Sequence, residues 1–173
     1  MPRRNIGVAI AVPPPYGAEL ADWRAHFGDP QARLVPTHVT LLPPTAITGA
    51  RLPVIEEHLR AVARDEVPFE VLLRGSGTFR PVSPVTFVAL ASGISACERL
   101  EDKVRSGPLA RDLKFNYHPH VTVAHDLDDV ALDKAFEELA SYEAKFSALG
   151  FTLFEEGRDR AWRPLVDFTF GES

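Results

Sequence analysis

The chain has 173 residues, 45% hydrophobic and 25% charged, with a formal net charge of −5. That profile suits one soluble globular unit over 1–173 with enough apolar residues for a sizeable core. The acidic balance excludes non-specific tracking along nucleic acid, which needs many phosphate contacts; it leaves room for a local basic site that holds an end or a small fragment.

The chain opens on Met1-Pro2-Arg3-Arg4 and the apolar run Ile6–Val12, which mimics a secretory signal. The run is short, ends in Pro13-Pro14-Pro15 and lacks a convincing small-residue cleavage site, so it reads as a strand over 5–12, close to a sheet edge. Residues 16–28 read as a helix, with Tyr16, Leu20, Trp23 and Phe27 on one stripe and Gly28-Asp29-Pro30 as its stop. A strand over 37–42 follows, ended by Pro43-Pro44. A second helix spans 52–66, with Leu52, Ile55, Leu59 and Val62 aligned and Pro53 tolerated in its first turn. Phe69–Arg74 is the next strand and leads into Gly75-Ser76-Gly77-Thr78-Phe79.

The order then restarts. Val85–Ala91 is apolar on both faces, as a central strand should be. Ser95 to Glu98 spells a capping box that opens a helix to 105, and Gly107-Pro108 breaks it. A strand over 120–124 precedes a helix capped by Asp128 or Asp129 and carrying Leu132, Ala135, Phe136 and Leu139. Residues 145–155 and 163–170 finish as strands. The sole cysteine, Cys97, excludes an internal disulfide, and its apolar-periodic setting predicts a buried, inert thiol. No run has the length of a membrane span, and a cytoplasmic monomer is expected.

Strand, helix, strand, helix, strand thus occurs twice, and each middle strand carries a His-x-Thr triplet: His38-Val39-Thr40 and His120-Val121-Thr122, 82 residues apart. Alternate side chains of a strand share a face. His38 and Thr40 therefore point one way and Val39 and Leu41 the other; His120 and Thr122 repeat the layout over Val121 and Val123. The simplest alternative is a pair of strand histidines on a solvated sheet face. The repeat predicts an internal duplication: two α+β lobes related by a pseudo-two-fold axis that sets the two triplets across a cleft.

Two imidazoles and two hydroxyls facing each other suit one kind of chemistry. A neutral His takes a proton from a nucleophile while a protonated His gives one to a leaving group, and the ordinary imidazole pKa of about 6.5 allows both forms near neutrality. The hydroxyls of Thr40 and Thr122 can donate to the non-bridging oxygens of a phosphate between them. The natural substrate is a phosphodiester, above all a strained cyclic one, and neither a metal nor a cofactor enters the scheme.

The paired triplets in a duplicated α+β chain resemble the two-histidine (2H) phosphoesterase superfamily, and within it the 2′-5′ RNA ligase-like, or RNA 2′,3′-cyclic phosphodiesterase, branch. The layout matches nearly the whole chain, while the specific motifs are the triplets and their flanks. Gly75-Ser76-Gly77-Thr78-Phe79 also looks like that branch, where an aromatic lies near the cleft. The resemblance implies antiparallel sheets with helices outside and a central cleft. It further implies metal-free opening of a 2′,3′-cyclic phosphate to a 2′-phosphate, on an RNA end or a small cyclic nucleotide, with reverse 2′-5′ ligation in some members. On it, His38 with Thr40 and His120 with Thr122 form two half-sites, with His120 as base and His38 as acid.

His118 shares parity with His120 and is a candidate substrate contact, as are Phe79, through stacking, and Arg80. Lys114, Arg160 and Arg163 could also supply positive field. His125 has the opposite parity, His26 and His58 fall on helices, and all three read as solvated or behind the site. Two other functions fit the same residues: a metal hydrolase built on His38, His118 and His120, and a non-catalytic module that binds RNA ends or nucleotides.

Overall fold

The computed structural model describes residues 2–172; Met1 and Ser173, the two ends of the unit expected over 1–173, lie outside them. In chain order the elements are β1 (Arg3–Ala11), α1 (Tyr16–His26), β2 (His38–Thr48), α2 (Leu52–Arg64), β3 (Phe69–Thr78), β4 (Val85–Ser92), α3 (Ile94–Val104), β5 (His120–His125), α4 (Asp129–Glu138), β6 (Glu143–Ala148), β7 (Gly150–Glu156) and β8 (Trp162–Thr169). Two four-stranded antiparallel sheets result, ordered β2-β1-β7-β8 and β5-β4-β3-β6.

The expected succession occurs twice, but the sheets do not follow the sequence halves. β3, the last element of the first half, pairs with β4 and β6, and β7 and β8 return to complete the first sheet. The pseudo-two-fold therefore relates β2-β1 to β5-β4. It makes each triplet-bearing strand the edge of its sheet, with β1 one strand in from that edge. The helices cross over as well: α1 packs near β5 and α3 near β2.

Three expectations are corrected. Pro43-Pro44 does not end β2, which runs on to Thr48. The prolines sit where the pairing with β1 slips, between Val8–Leu42 and Ile6–Thr45. An edge strand at an irregularity needs no N–H from them. The single strand read over 145–155 is two strands in different sheets, β6 and β7, separated at Leu149. Finally, Ser95 lies inside α3, not at its cap: Gly93, at φ 90° in the left-handed region, caps the helix two residues before Ser95. A Cβ at Gly93 would also come within 2.8 Å of the Glu70 carbonyl, so no larger residue fits there.

One hydrophobic cluster joins both sheets and all four helices, from Ile10, Val39 and Leu153 to Val88, Val121, Leu20, Ile55, Leu100 and Leu132. Each such fully buried side chain contributes roughly 1.5–3 kcal/mol through removal from water. Cys97 is part of it, with its thiol pushed up to about 12 by burial and then by Glu98. No helix among the described residues is long and apolar enough to cross a membrane.

Candidate active site

The triplets follow the predicted alternation. Val39, Leu41, Val121 and Val123 are buried, while His38, Thr40, His120 and Thr122 are half-buried on the other face. His38 lies opposite Ala11 and His120 opposite Ala89, so a small neighbour flanks each imidazole in its sheet. The two edge strands approach each other, and the Tyr117 hydroxyl joins them by donating to the Thr40 carbonyl at 2.6 Å.

Both imidazoles are held alike. Nδ1 of His38 lies 2.6 Å from the Pro36 carbonyl oxygen, and Nδ1 of His120 lies 2.7 Å from that of His118. A carbonyl only accepts, so each Nδ1 carries the proton and Nε2 is left unprotonated in the neutral ring. In the first half-site that nitrogen meets the Thr40 hydroxyl at 3.0 Å. Burial, against the help of the Pro36 carbonyl, holds His38 down at about 4, and the charges of Arg24 and His120 add to this. His120 is lowered too, chiefly by burial and also by His118. Both rings are therefore neutral near pH 7.

A cavity of about 360 Å³ brings His38 of β2 together with Thr122 of β5, and Trp162, Arg24 and Arg160 complete its walls. The Trp162 ring packs on His38 with centroids 4.6 Å apart. His120 is backed by Phe79 and Phe87 at 4.8 and 5.3 Å. A Cβ on Gly77 would lie 2.6 Å from the Phe87 ring, which is why glycine precedes Phe79 there.

The remaining candidates separate. Phe79 touches both His118 and His120 edge-on. His118 is exposed and lines a second cavity of about 380 Å³ with Gly77, Phe87, Leu90 and Tyr117. Arg80 is spent on the Asp129 and Asp133 carboxylates, at 3.3 and 2.8 Å. Arg163 is spent on Asp159 at 2.7 Å, and Lys114 lies over the Phe115 ring. His26 faces Glu138, and His58 bonds to the Val104 carbonyl. His125, expected on the opposite face, lines the cavity. Pairing with β4 slips between Thr86 and Phe87, so Val123 and Ala124 are both buried and His125 returns to the Thr122 face. Among the described residues no group of three or more His, Cys, Asp or Glu could hold a metal, so His38, His118 and His120 form no such cluster.

Sequence reasoning missed Arg24 and Trp162. Arg24 is buried beside Leu20 on the inner face of α1, where its Nε donates to Asp29 at 2.8 Å. The available signal was an arginine four residues after Leu20 with a carboxylate just past the Gly28 stop.

Two sheets that offer paired, Nδ1-anchored histidines from facing edge strands define a two-lobed α+β protein of the two-histidine kind. The family model described as the 2′-5′ RNA ligase superfamily matches residues 12–160, and the chain belongs to that phosphoesterase family. Two bacterial relatives bear the name "Putative phosphoesterase". The one from Halalkalibacterium halodurans is 30% identical over 123 residues, 71% of each chain. The one from Geobacillus kaustophilus is 22% identical over 164 residues, 94% of each. E. coli LigT in apo form shares the fold, with a TM-score of 0.73 at 18% identity over 99% of this chain and 100% of that one. TT0787 of Thermus thermophilus shares it with a TM-score of 0.66 at 19% identity over 96% and 98%. LigT has also been crystallised with 3′-AMP, with ATP and with phosphate.

Proposed function

We propose that the chain is a metal-independent phosphodiesterase that opens 2′,3′-cyclic phosphates of RNA ends or nucleotides to 2′-phosphates. The observation that carries the reading is the pair of imidazoles whose Nδ1 protons are tied to the carbonyls of Pro36 and His118, leaving two Nε2 atoms for proton transfer. The nucleotide and phosphate complexes of LigT support a ligand of this class for a chain of the same fold.

In the scheme, Nε2 of neutral His120 takes a proton from water as the water oxygen bonds to phosphorus. The bond from phosphorus to the 3′ oxygen breaks, and Nε2–H of protonated His38 supplies that oxygen with a proton. The product is a 2′-phosphate with a free 3′-hydroxyl. With the 5′-hydroxyl of another strand in place of water, the same steps form a 2′–5′ link.

Thr40 couples proton to substrate. While His38 is neutral, the Thr40 hydroxyl donates to its Nε2. Once His38 is protonated, Nε2 no longer accepts and its N–H turns to the 3′ oxygen, so the Thr40 hydroxyl hydrogen is released to a phosphate oxygen. The bound anion supplies the stabilisation that lets His38 take its proton. Thr122 lies on the cavity that His38 lines and offers the second donor.

The test is product analysis on a dinucleotide ending in a 2′,3′-cyclic phosphate, using purified protein. A 2′-phosphate product is expected. No turnover, or a 3′-phosphate product, would overturn the proposal.

A further inference from the structure

The cleft has two unlike ends. Beyond His120 the second cavity is lined mainly by Phe87, Leu90, Ile94, Tyr117 and His118, a surface suited to a nucleobase. Beyond His38 and Thr122 the first cavity continues to Arg24, Gln31, Glu156 and Arg160.

That second end is built for an anion. Arg24 has a side chain only 7% exposed, with Nε on Asp29 at 2.8 Å and Nη2 on Gln31 at 3.3 Å, so among the described residues its Nη1 has no protein partner. Asp29 is saturated: it also accepts the backbone N–H groups of Gln31 and His125. Its carboxylate fixes the guanidinium and faces no ligand unpaired. After burial, the Arg24 charge is among the causes that lower the His38 pKa, so the guanidinium's field reaches the cleft.

Arg160 stands at the rim on a closed turn. Gly157 N–H bonds to the Ala161 carbonyl, Arg160 N–H to the Gly157 carbonyl, and Ala161 N–H to the Asp159 side chain. Trp162 N–H ties the turn to Leu34 at 2.9 Å. Arg160 itself has φ 69°, in the left-handed region where a side chain costs energy, and such outliers concentrate at ligand clamps. Asp159 is taken by Arg163, and Glu156, the carboxylate on the lining, makes no ion pair with Arg160 or Arg24 among the described residues.

We propose that the Arg24–Arg160 end of the cleft is a second phosphate subsite, which receives a phosphate on the 5′ side of the nucleotide whose cyclic phosphate lies between His38 and His120. The preferred substrate is then a 5′-phosphorylated nucleotide or the last nucleotide of a chain, and Arg160 sets that preference. The inference rests on the phosphodiesterase reading for which phosphate is cut; the subsite itself is a matter of binding.

Calorimetric titration with two product-like ligands tests it, adenosine 2′-phosphate and adenosine 2′,5′-bisphosphate. The bisphosphate should bind about tenfold tighter or better, the scale of one charge-assisted hydrogen bond. Arg160→Gln should bring that ratio close to one. Arg158→Gln, on the same turn but off the cavity lining, should keep it. Equal affinities in the parent protein, no binding of either ligand, or a ratio that survives Arg160→Gln would overturn the subsite. So would equal weakening of both ligands by Arg160→Gln, which would put that residue on the 2′-phosphate. An intact binding preference without cyclic-phosphate turnover would keep the subsite and remove the reaction.

Discussion

The ring of His120 donates its Nδ1 proton to the backbone carbonyl of His118, two residues earlier on the approach to β5. His118 thus serves its neighbour through the main chain, which any residue supplies. His118→Ala should therefore lower kcat by less than about tenfold, whereas His120→Ala and His38→Ala should each lower it by roughly 10²–10⁴-fold, the usual contribution of a general acid or base. Steady-state kinetics on a cyclic-phosphate dinucleotide checks both. A His118→Ala variant as inactive as His120→Ala would place the His118 ring in the chemistry.

Thr40 and Thr122 should matter for turnover and little for stability. Valine keeps their shape and removes one donor, so Thr40→Val and Thr122→Val should each cost roughly 10–10³-fold in kcat. The bond from Tyr117 to Thr40 is to a backbone carbonyl and survives the change. A large fall in melting temperature with normal turnover would make these residues structural.

Trp162 lies against His38, and burial is the main cause of that ring's lowered pKa. Trp162→Ala should admit water and raise the His38 pKa from about 4 toward its ordinary value near 6.5. NMR titration of the imidazole reads this directly. An unchanged His38 titration would show that Trp162 does not supply the dry wall.

The same lowered pKa contributes to the acid sensitivity of the fold. An unfolded imidazole binds its proton near pH 6.5, folded His38 only near 4. Between those values the unfolded state holds more protons, so stability is fully present above about pH 6.5 and is lost as pH falls toward 4. Integrated, the loss is roughly 3 kcal/mol from His38, with His120 acting in the same direction. Urea unfolding across this range should show a shallower pH slope for His38→Gln than for the parent protein. Identical slopes would contradict the buried, neutral state of His38.

Much of the candidate site's geometry was legible because it is local. Period-two alternation places His38 and Thr40 on one face from four consecutive residues, and the second triplet repeats it. What was not legible depends on the other sheet. The alternation over 145–155 reads as one strand because nothing in it marks the crossing at Leu149, where the chain leaves β3 as partner and joins β1. His125 was misplaced because a bulge resets parity and is defined by β4, some 40 residues upstream. Arg24 was passed over because a helix arginine reads as solvated until Asp29 and the cleft are seen around it. Arg80 drew attention as a cation beside Phe79, and only the fold delivers Asp129 and Asp133 to neutralise it.

The central claim is that two histidines, without a metal, share the proton transfers of phosphodiester opening. The most direct measurement is the pH dependence of kcat/KM and kcat for 2′,3′-cyclic phosphate hydrolysis by chelator-treated protein. Full activity is predicted, with bell-shaped profiles. The kcat/KM optimum should lie below about pH 6.5, because both rings are lowered in the free protein, and the kcat optimum should lie higher, because the bound anion favours imidazolium. Activity lost to the chelator and restored by stoichiometric zinc, with an alkaline limb that stays flat, would contradict the account.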